Sequence, residues 1–518
     1  MKKGPGLVGA VIFVAVILGG LGYCAFNIVS DMGHVVSPSV WPYILLTVAL
    51  LIALGFEFVN GFHDTANAVA TVIYTHTLEP HVAVVWSGCW NLIGVLTSSG
   101  AVAYAVITLL PVELILQVSS GAGFAMVFAL LIAAILWNLS TWWLGLPASS
   151  SHTMVGSIIG VGIANQLIAG NSGTAGVDWD QVTKVFKVLL ISPLVGFAFA
   201  WLLMLLTKKL VKYPALFTAP KGEEPPPFLI RALLVLTCTG VSFGHGSNDG
   251  QKGMGLIMLI LIGTVPTAYA LNHAVGPDQV VNFVAVSDQV AGILNNHADK
   301  NALMTDPLTD TTDFISSKKF TPTTMIALRE LVEDTSHEVA TYKELKSVPA
   351  QRQQNVRNNM YVISAALNLI HKKHNPAFSA DEDKILADYQ KKLDGATKFI
   401  PLWVKVVVAL ALGMGTMVGW KRIVVTVGEK IGKDHLTYAQ GACAELIAMC
   451  TIIAADNFGM PVSTTHVLSS GIAGTMVANG SGLQWSTLRS IAMAWVFTLP
   501  AAALLSGGLF WLFRHFGA

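Results

Sequence analysis

Apolar residues dominate this chain in long runs rather than in one-faced stripes. A bilayer-spanning helix needs about 20 consecutive apolar residues. Runs of that kind stand at roughly 7–28, 41–59, 82–110, 122–144, 150–169, 185–206, 228–243, 254–272, 400–419, 437–455, 461–479 and 487–512. Several are short or interrupted by glycine, so the pattern predicts an all-α polytopic membrane protein with about 10–12 transmembrane segments. Residues 274–398 differ in kind. About half of all charged residues fall there, both signs mixed, and apolar residues recur at helical spacing, as in Met360-Tyr361-Val362-Ile363-Ser364-Ala365-Ala366-Leu367. This reads as a soluble helical insert between membrane regions at 1–273 and 399–518.

Composition agrees with the bilayer. The chain is 53% hydrophobic and 12% charged, against about 25% charge in soluble domains. A net charge of +1 gives no reason to expect nucleic acid as a partner. The five cysteines lie singly in apolar stretches without Cys-x-x-Cys spacing and read as small buried hydrophobes. Lys2-Lys3 before the apolar run to Ile28 reads as a retained first membrane helix with a cytoplasmic N-terminus rather than a cleaved leader. Lys208, Lys209, Lys212 and Lys221 mark one cytoplasmic connection, and Lys421, Arg422, Lys430 and Lys433 a second. Trp86, Trp90, Trp142, Trp143, Trp403 and Trp420 are expected at the membrane interface.

Two polar motifs interrupt the apolar runs, and each occurs twice. Asn60-Gly61-Phe62-His63-Asp64-Thr65-Ala66-Asn67 is answered by Gly244-His245-Gly246-Ser247-Asn248-Asp249-Gly250-Gln251-Lys252. Gly145-Leu146-Pro147-Ala148-Ser149-Ser150-Ser151-His152-Thr153 is answered by Gly459-Met460-Pro461-Val462-Ser463-Thr464-Thr465-His466-Val467. The order along the chain alternates. Asp64 and Asp249 are 185 residues apart, Pro147 and Pro461 are 314 apart, and the difference of 129 is about the length of the insert. Duplicated units carrying polar, Gly-rich breaks at matching points mark a secondary transporter.

An ionised carboxylate at mid-bilayer costs about 2.5–3.5 kcal/mol on insertion scales, so Asp64 and Asp249 at equivalent positions argue for use. The neighbouring glycines are expected to break the helices and expose N–H groups to an anion. Gly246 to Lys252 is not a phosphate-binding loop of the ATPase type, because Gln251 separates Gly250 from the lysine and Gly253 replaces the hydroxyl. Pro147 and Pro461 suit a first helical turn. A single Ser-Ser-Ser would read as a cap; its recurrence as Ser463-Thr464-Thr465, with Pro before and His after both times, argues for oxyanion binding.

Hydroxyl and N–H donors ask for an oxyanion, which two carboxylates would repel unless cations enter too or the anion carries a proton. Phosphate keeps an O–H at neutral pH for a carboxylate to receive, and sulfate does not. Phosphate is therefore the expected substrate, with Asn67, Asn248, Ser149, Ser150, Ser151, Ser463, Thr464 and Thr465 as its ligands. Asp64, Asp249 and His63 are the coupling candidates. Glu57, Gln251, Lys252, His152 and His466 form a second tier, while Glu445 and Asp456 read as groups reaching the interface.

These motifs resemble those of the PiT family of inorganic phosphate transporters, whose duplicated signature is Gly-Ala-Asn-Asp-Val-Ala-Asn. The likeness covers the membrane portion and is nearest to the bacterial low-affinity Pit branch, through Gly61-Phe62-His63-Asp64-Thr65-Ala66-Asn67 and Asn248-Asp249-Gly250-Gln251-Lys252-Gly253. It implies inverted repeats, two re-entrant hairpins bearing the hydroxyl motif, phosphate held between the halves, and a bacterial inner-membrane location. His63 stands where the signature has its first Asn, and Lys252 where the second copy has its last. The family's sodium sites rely on Asn and Asp oxygens, so the expected coupling ion is a proton carried by Asp64 or Asp249 with His63 assisting. The Pit branch further implies that phosphate is accepted as a neutral divalent-metal complex. Sodium-coupled phosphate uptake, sulfate permease activity, and metal uptake with phosphate as vehicle are the alternatives. No covalent step is required, so neither an enzyme nor a cofactor is expected. The partners are phosphate, the coupled cation and the lipid bilayer, with a homodimer the assembly to test.

Overall fold

In hydrocarbon every backbone N–H and C=O needs a protein partner, and long unbroken apolar runs meet that need as helices. The computed structural model describes residues 7–31, 41–110, 115–116, 121–169, 177–220, 222, 224–299 and 301–516. Among these, regular structure is helical throughout, with a single isolated bridge between Gly432 and Leu483. Lys2, Lys3 and Lys221 lie outside the described residues.

The first membrane region runs α1 (Leu7–Asp31), α2 (Trp41–Asp64), α3 (Ala66–Tyr74), α4 (Pro80–Thr97), α5 (Ala101–Ile107), α6 (Gly121–Trp143), α7 (Ser150–Ala169), α8 (Trp179–Leu210), α9 (Phe228–Thr264) and the single turn α10 (Pro266–Tyr269). Helices α11 (Pro277–Asn296), α12 (Pro307–Ser317), α13 (Thr324–Tyr342), α14 (Ala350–Lys373) and α15 (Ala380–Thr397) share a separate core that includes Phe283, Leu328, Ile363 and Tyr389. The chain then returns through α16 (Leu402–Thr416), α17 (Lys421–Glu429), α18 (Tyr438–Asn457), α19 (Thr464–Asn479) and α20 (Trp485–Phe516).

Seven of the described helical segments are long and apolar enough to cross a membrane, or nine if each of two bent pairs makes one span. That is fewer than the 10–12 expected, for three physical reasons. The runs at 228–243 and 254–272 belong largely to one 37-residue helix, α9. The run at 82–110 is split into α4 and α5, bent by 77° at Ser98 to Gly100. The runs at 150–169 and 461–479 are arms of helical hairpins rather than independent spans.

Those hairpins are built alike. After α6 the chain turns at Gly145 (φ +68°), and after α18 at Gly459 (φ +62°). At the first turn Gly145 N donates to Trp142 O and Leu146 N to Thr141 O. At the second, Gly459 N donates to Asp456 O and Met460 N to Ala455 O. This is the left-handed helix C-cap, whose positive φ favours glycine. Both hydroxyl runs therefore begin a new helix, α7 or α19, at a hairpin tip inside the protein.

Continuity of α9 overturns the expected helix break at Gly244 to Gly253. The glycines there permit close approach instead. A Cβ on Gly246 would lie 2.1 Å from Asn91 O, and one on the facing Gly94 2.2 Å from Phe243 O, so α4 and α9 touch backbone to backbone. Gly61 and Gly415 repeat the arrangement between α2 and α16, at 2.2 Å from Leu412 O and 2.1 Å from Phe58 O. Small residues at such crossings are how membrane helices pack without a hydrophobic driving force between them. Tryptophans divide between environments. Trp143 is exposed beneath the Arg422 guanidinium, 4.4 Å from its ring centroid, whereas Trp403 is buried against Tyr269 rather than at an interface.

Gly246→Ala should destabilise the purified protein by about 1–3 kcal/mol or more, as overpacking does, read as a lower melting temperature. Gly292→Ala, with nothing within 4 Å of the added carbon, is the control expected not to lower the melting temperature, since an exposed helical Ala is favoured over Gly.

Candidate functional site

The tips of both hairpins meet the end of α2, the start of α3 and the middle of α9. At the tips, Ser149 and Ser463 are helix caps: each hydroxyl accepts from the backbone N–H three residues on, His152 N and His466 N, at 3.2 Å in both cases. Capping by Ser satisfies one of the orphan donors of the first turn. It also turns Ser150, Ser151, Thr464 and Thr465 inward, where all four are buried.

Asp64 ends α2 and is nearly surrounded by donors. Ser150 Oγ donates to its Oδ2 at 2.8 Å, Thr465 Oγ1 to its Oδ1 at 2.7 Å, and His63 Nδ1 stands 3.2 Å from Oδ1. One hydroxyl comes from each hairpin, so this carboxylate ties the two tips together. His63 is fixed on its other side by Thr141, 3.1 Å from Nε2. Asn67 Nδ2 donates to Thr465 Oγ1 at 2.9 Å and to Thr464 Oγ1 at 3.3 Å.

On α9, Asp249 Oδ1 lies 2.5 Å from Lys252 Nζ, which also donates to Ser151 Oγ at 2.5 Å. Ser151 Oγ in turn donates to Val462 O at 2.8 Å. Lys252 and Asp249 are fully buried. Glu57 is buried against Gly253, where an added Cβ would come within 2.2 Å of Oε1.

One residue at the centre was not among the sequence candidates. His245 Nε2 faces both aspartates, 3.3 Å from Asp249 Oδ2 and 3.8 Å from Asp64 Oδ2. Its signal was its place four residues before Asp249, on the same face of one helix. The hydrogen bonds fix what its ring presents. Thr416 Oγ1 donates to Leu412 O and so receives Asn91 Nδ2, at 3.1 Å; Asn91 Oδ1 therefore faces His245 Nδ1, at 2.8 Å, and must accept its proton. A neutral imidazole then points its Nε2 lone pair between two carboxylates. Asp64, His245 and Asp249 bring one ligand atom each within 4.8 Å of one another, all buried. Three converging acceptors repel unless a cation stands among them: a proton on the ring, or a metal ion, for which His nitrogen and carboxylate oxygen are ordinary ligands.

Other candidates serve the scaffold. Asn248 Nδ2 donates to Met460 O at 3.1 Å and its Oδ1 accepts from Val462 N at 3.3 Å, latching the second tip to α9. Gln251 donates to Asp456 Oδ1 at 2.7 Å and accepts from Val102 N at 3.0 Å. His152 and His466 lie against each other, tilted by 39° with ring centroids 4.5 Å apart, and His466 stacks on Trp495 at 4.1 Å. Glu445 does not reach a surface: it is fully buried between Thr71 and Thr237. Asp456 is partly exposed near the end of α18 and accepts from Ser247 at 2.6 Å as well as from Gln251. A cavity of about 510 Å³ reaches the second tip, lined by Gln181, Lys184 and the segment Asn457 to Pro461.

A buried cluster of carboxylates, an imidazole, an ammonium and hydroxyls, placed where two helical hairpins meet two long membrane helices, defines a membrane carrier of small ions. The chain belongs to the phosphate transporter family, whose model matches residues 60–506. It is 44% identical over 490 residues to the low-affinity inorganic phosphate transporter PitA of Escherichia coli K12, covering 91% of this chain and 97% of the relative. It is 42% identical to PitB of the same organism, over 90% and 96% of the two chains. It is 39% identical to the low-affinity inorganic phosphate transporter of Buchnera aphidicola subsp. Acyrthosiphon pisum, over 93% and 98%. A solved structure described as the sodium-dependent phosphate transporter shares the fold, with a TM-score of 0.50, 17% identity and coverage of 91% of this chain and all of the other. The protein is a multi-pass membrane transporter, not an enzyme.

His245→Ala should lower transport by about tenfold or more, because it removes one of three convergent ligands. Asn91→Ala, which only frees the ring to turn, should cost less. Initial rates of phosphate uptake into proteoliposomes, compared at equal protein incorporation, check both.

Proposed function

We propose that this protein is a low-affinity inorganic phosphate symporter of the bacterial inner membrane, coupled to protons. The observation that carries the reading is the convergence of Asp64, His245 and Asp249 beneath two hydroxyl-bearing helix starts. An oxyanion at Ser150, Ser151, Thr464, Thr465 and Asn67 would sit beside two carboxylates, so its binding is favourable only when positive charge arrives with it. Proton uptake at the cluster supplies that charge, and the empty site then returns once the proton and the anion leave together. The relatives' names supply the substrate. Phosphate fits the chemistry because it can donate an O–H to whichever acceptor remains ionised, and sulfate cannot.

A second reading has its own observation. Two carboxylate oxygens and an imidazole nitrogen form a ligand set that a divalent metal accepts. On this reading the cargo is a metal–phosphate pair, with the metal held by Asp64, His245 and Asp249 and the phosphate by the hydroxyls. Sodium, named in the description of the solved relative of similar fold, is the remaining cation to test.

Phosphate uptake into proteoliposomes with an inward proton gradient and no sodium separates these readings. Wild type should accumulate phosphate, and Asp64→Asn should lose roughly tenfold or more of the initial rate, as loss of an interaction used in turnover does. Sulfate in excess should compete weakly. Accumulation only after Mg or Zn is added assigns the metal–phosphate reading; accumulation only after sodium is added overturns proton coupling.

A further inference from the structure

The two halves of the site share one contact scheme and differ by one charge. Asn67 and Lys252 each stand three residues after an aspartate, Asp64 or Asp249, and are 185 residues apart, as the aspartates are. Thr465 and Ser151 each end a hydroxyl run and are 314 apart, as the two prolines are. Asn67 Nδ2 donates to Thr465 Oγ1 at 2.9 Å; Lys252 Nζ donates to Ser151 Oγ at 2.5 Å. The same donor meets the same acceptor across the same pair of elements in both halves. In the first half it is a neutral amide, and in the second an ammonium.

That charge is spent locally. In the first half Asp64 is met by two hydroxyls and an imidazole, all without permanent charge. In the second, Lys252 Nζ closes on Asp249 Oδ1 at 2.5 Å. The ammonium is a compact point charge on a flexible stem, here fully buried and bound to one carboxylate oxygen and one hydroxyl oxygen. Oxygen ligands of this kind are what a small hard cation takes.

We propose that Lys252 is a resident cation: its side chain fills the cation position of the second half, so that the protein itself neutralises Asp249 and each turnover loads external cation only for the Asp64 half. The inference rests on the symport reading above and sets its stoichiometry, one fewer external cation for each phosphate than a site with Asn in both halves would require. Asp249 Oδ2 stays available to His245, at 3.3 Å, so the convergent acceptor set is retained.

Lys252→Asn gives both halves the same residue and tests this directly. The purified variant should bind sodium where wild type does not, shown by a rise of about 3 °C or more in its melting temperature when choline chloride is replaced by NaCl. In proteoliposomes its phosphate uptake in choline should fall about tenfold or more below wild type and recover with saturable dependence on sodium. Lys252→Arg, which keeps the charge, should show no stabilisation by sodium. Wild-type uptake by Lys252→Asn in choline overturns the proposal. So does a folded Lys252→Asn protein that sodium neither stabilises nor reactivates. If wild type carries no phosphate the symport reading fails, and if it itself requires sodium proton coupling fails; the melting-temperature comparison still decides the role of Lys252, because it reads cation binding without transport.

Discussion

Charge held away from water dominates this structure. Asp64, Asp249, Glu57 and Lys252 are buried within one cluster with His63 and His245. Removing one partner from a buried ion pair costs about 3–5 kcal/mol, so neither Asp249 nor Lys252 is free to move alone. Each must exchange one partner for another in step. Under the proposed function that constraint is what couples the ions: an anion is admitted only with a cation, and the empty cluster is again self-consistent. Asp64 carries the constraint farthest. By accepting from Ser150 of one hairpin and Thr465 of the other, it makes the position of both tips depend on what the carboxylate holds.

The rest of the fold keeps water out of that cluster and keeps the elements in register. Backbone-to-backbone contacts at Gly61, Gly94, Gly246 and Gly415 bring α2, α4, α9 and α16 too close for solvent to pass between them. Low local dielectric strengthens every interaction inside. The hairpins add donors without adding charge, since helix starts offer N–H groups and hydroxyls at their first turn. The asymmetry between the tips is informative. The second is latched by Asn248 to Met460 and Val462, and the corresponding position in the first half is His63, which bonds Asp64 and Thr141 instead. One half is arranged to hold a tip and the other to hold a carboxylate.

Much of this was legible in the sequence, and the failures have physical causes. Length and continuity of the apolar runs identify an all-α membrane protein, because lipid admits only helices and closed barrels and a barrel would alternate apolar with polar residues. The duplicated motifs identify the residues that meet, since Asp64, Asn67, Ser150, Ser151, Thr465, Asp249 and Lys252 all stand in them. Helix breaks at glycine did not follow. Glycine weakens a helix in water by roughly 1 kcal/mol, but inside a packed bundle that cost is offset by the close crossing that glycine alone allows, and α9 runs straight through four of them. Apolar runs also outnumber the long apolar helices among the described residues, because a run does not distinguish a long helix from a shorter hairpin arm.

His245 marks a different limit. Read along the chain it is one polar residue between two glycines, and its local signal is the four-residue spacing to Asp249, which His152 and His466 lack. Its role is set by two contacts distant in sequence. Asn91, oriented by Thr416, takes the proton on Nδ1, and Asp64 lies across the interface from α9. The imidazole is thereby committed to presenting Nε2 to both carboxylates, whatever ion stands between them. A proton and a metal ion would thus compete for one set of lone pairs, on three side chains separate from the hydroxyls that offer donors to an anion.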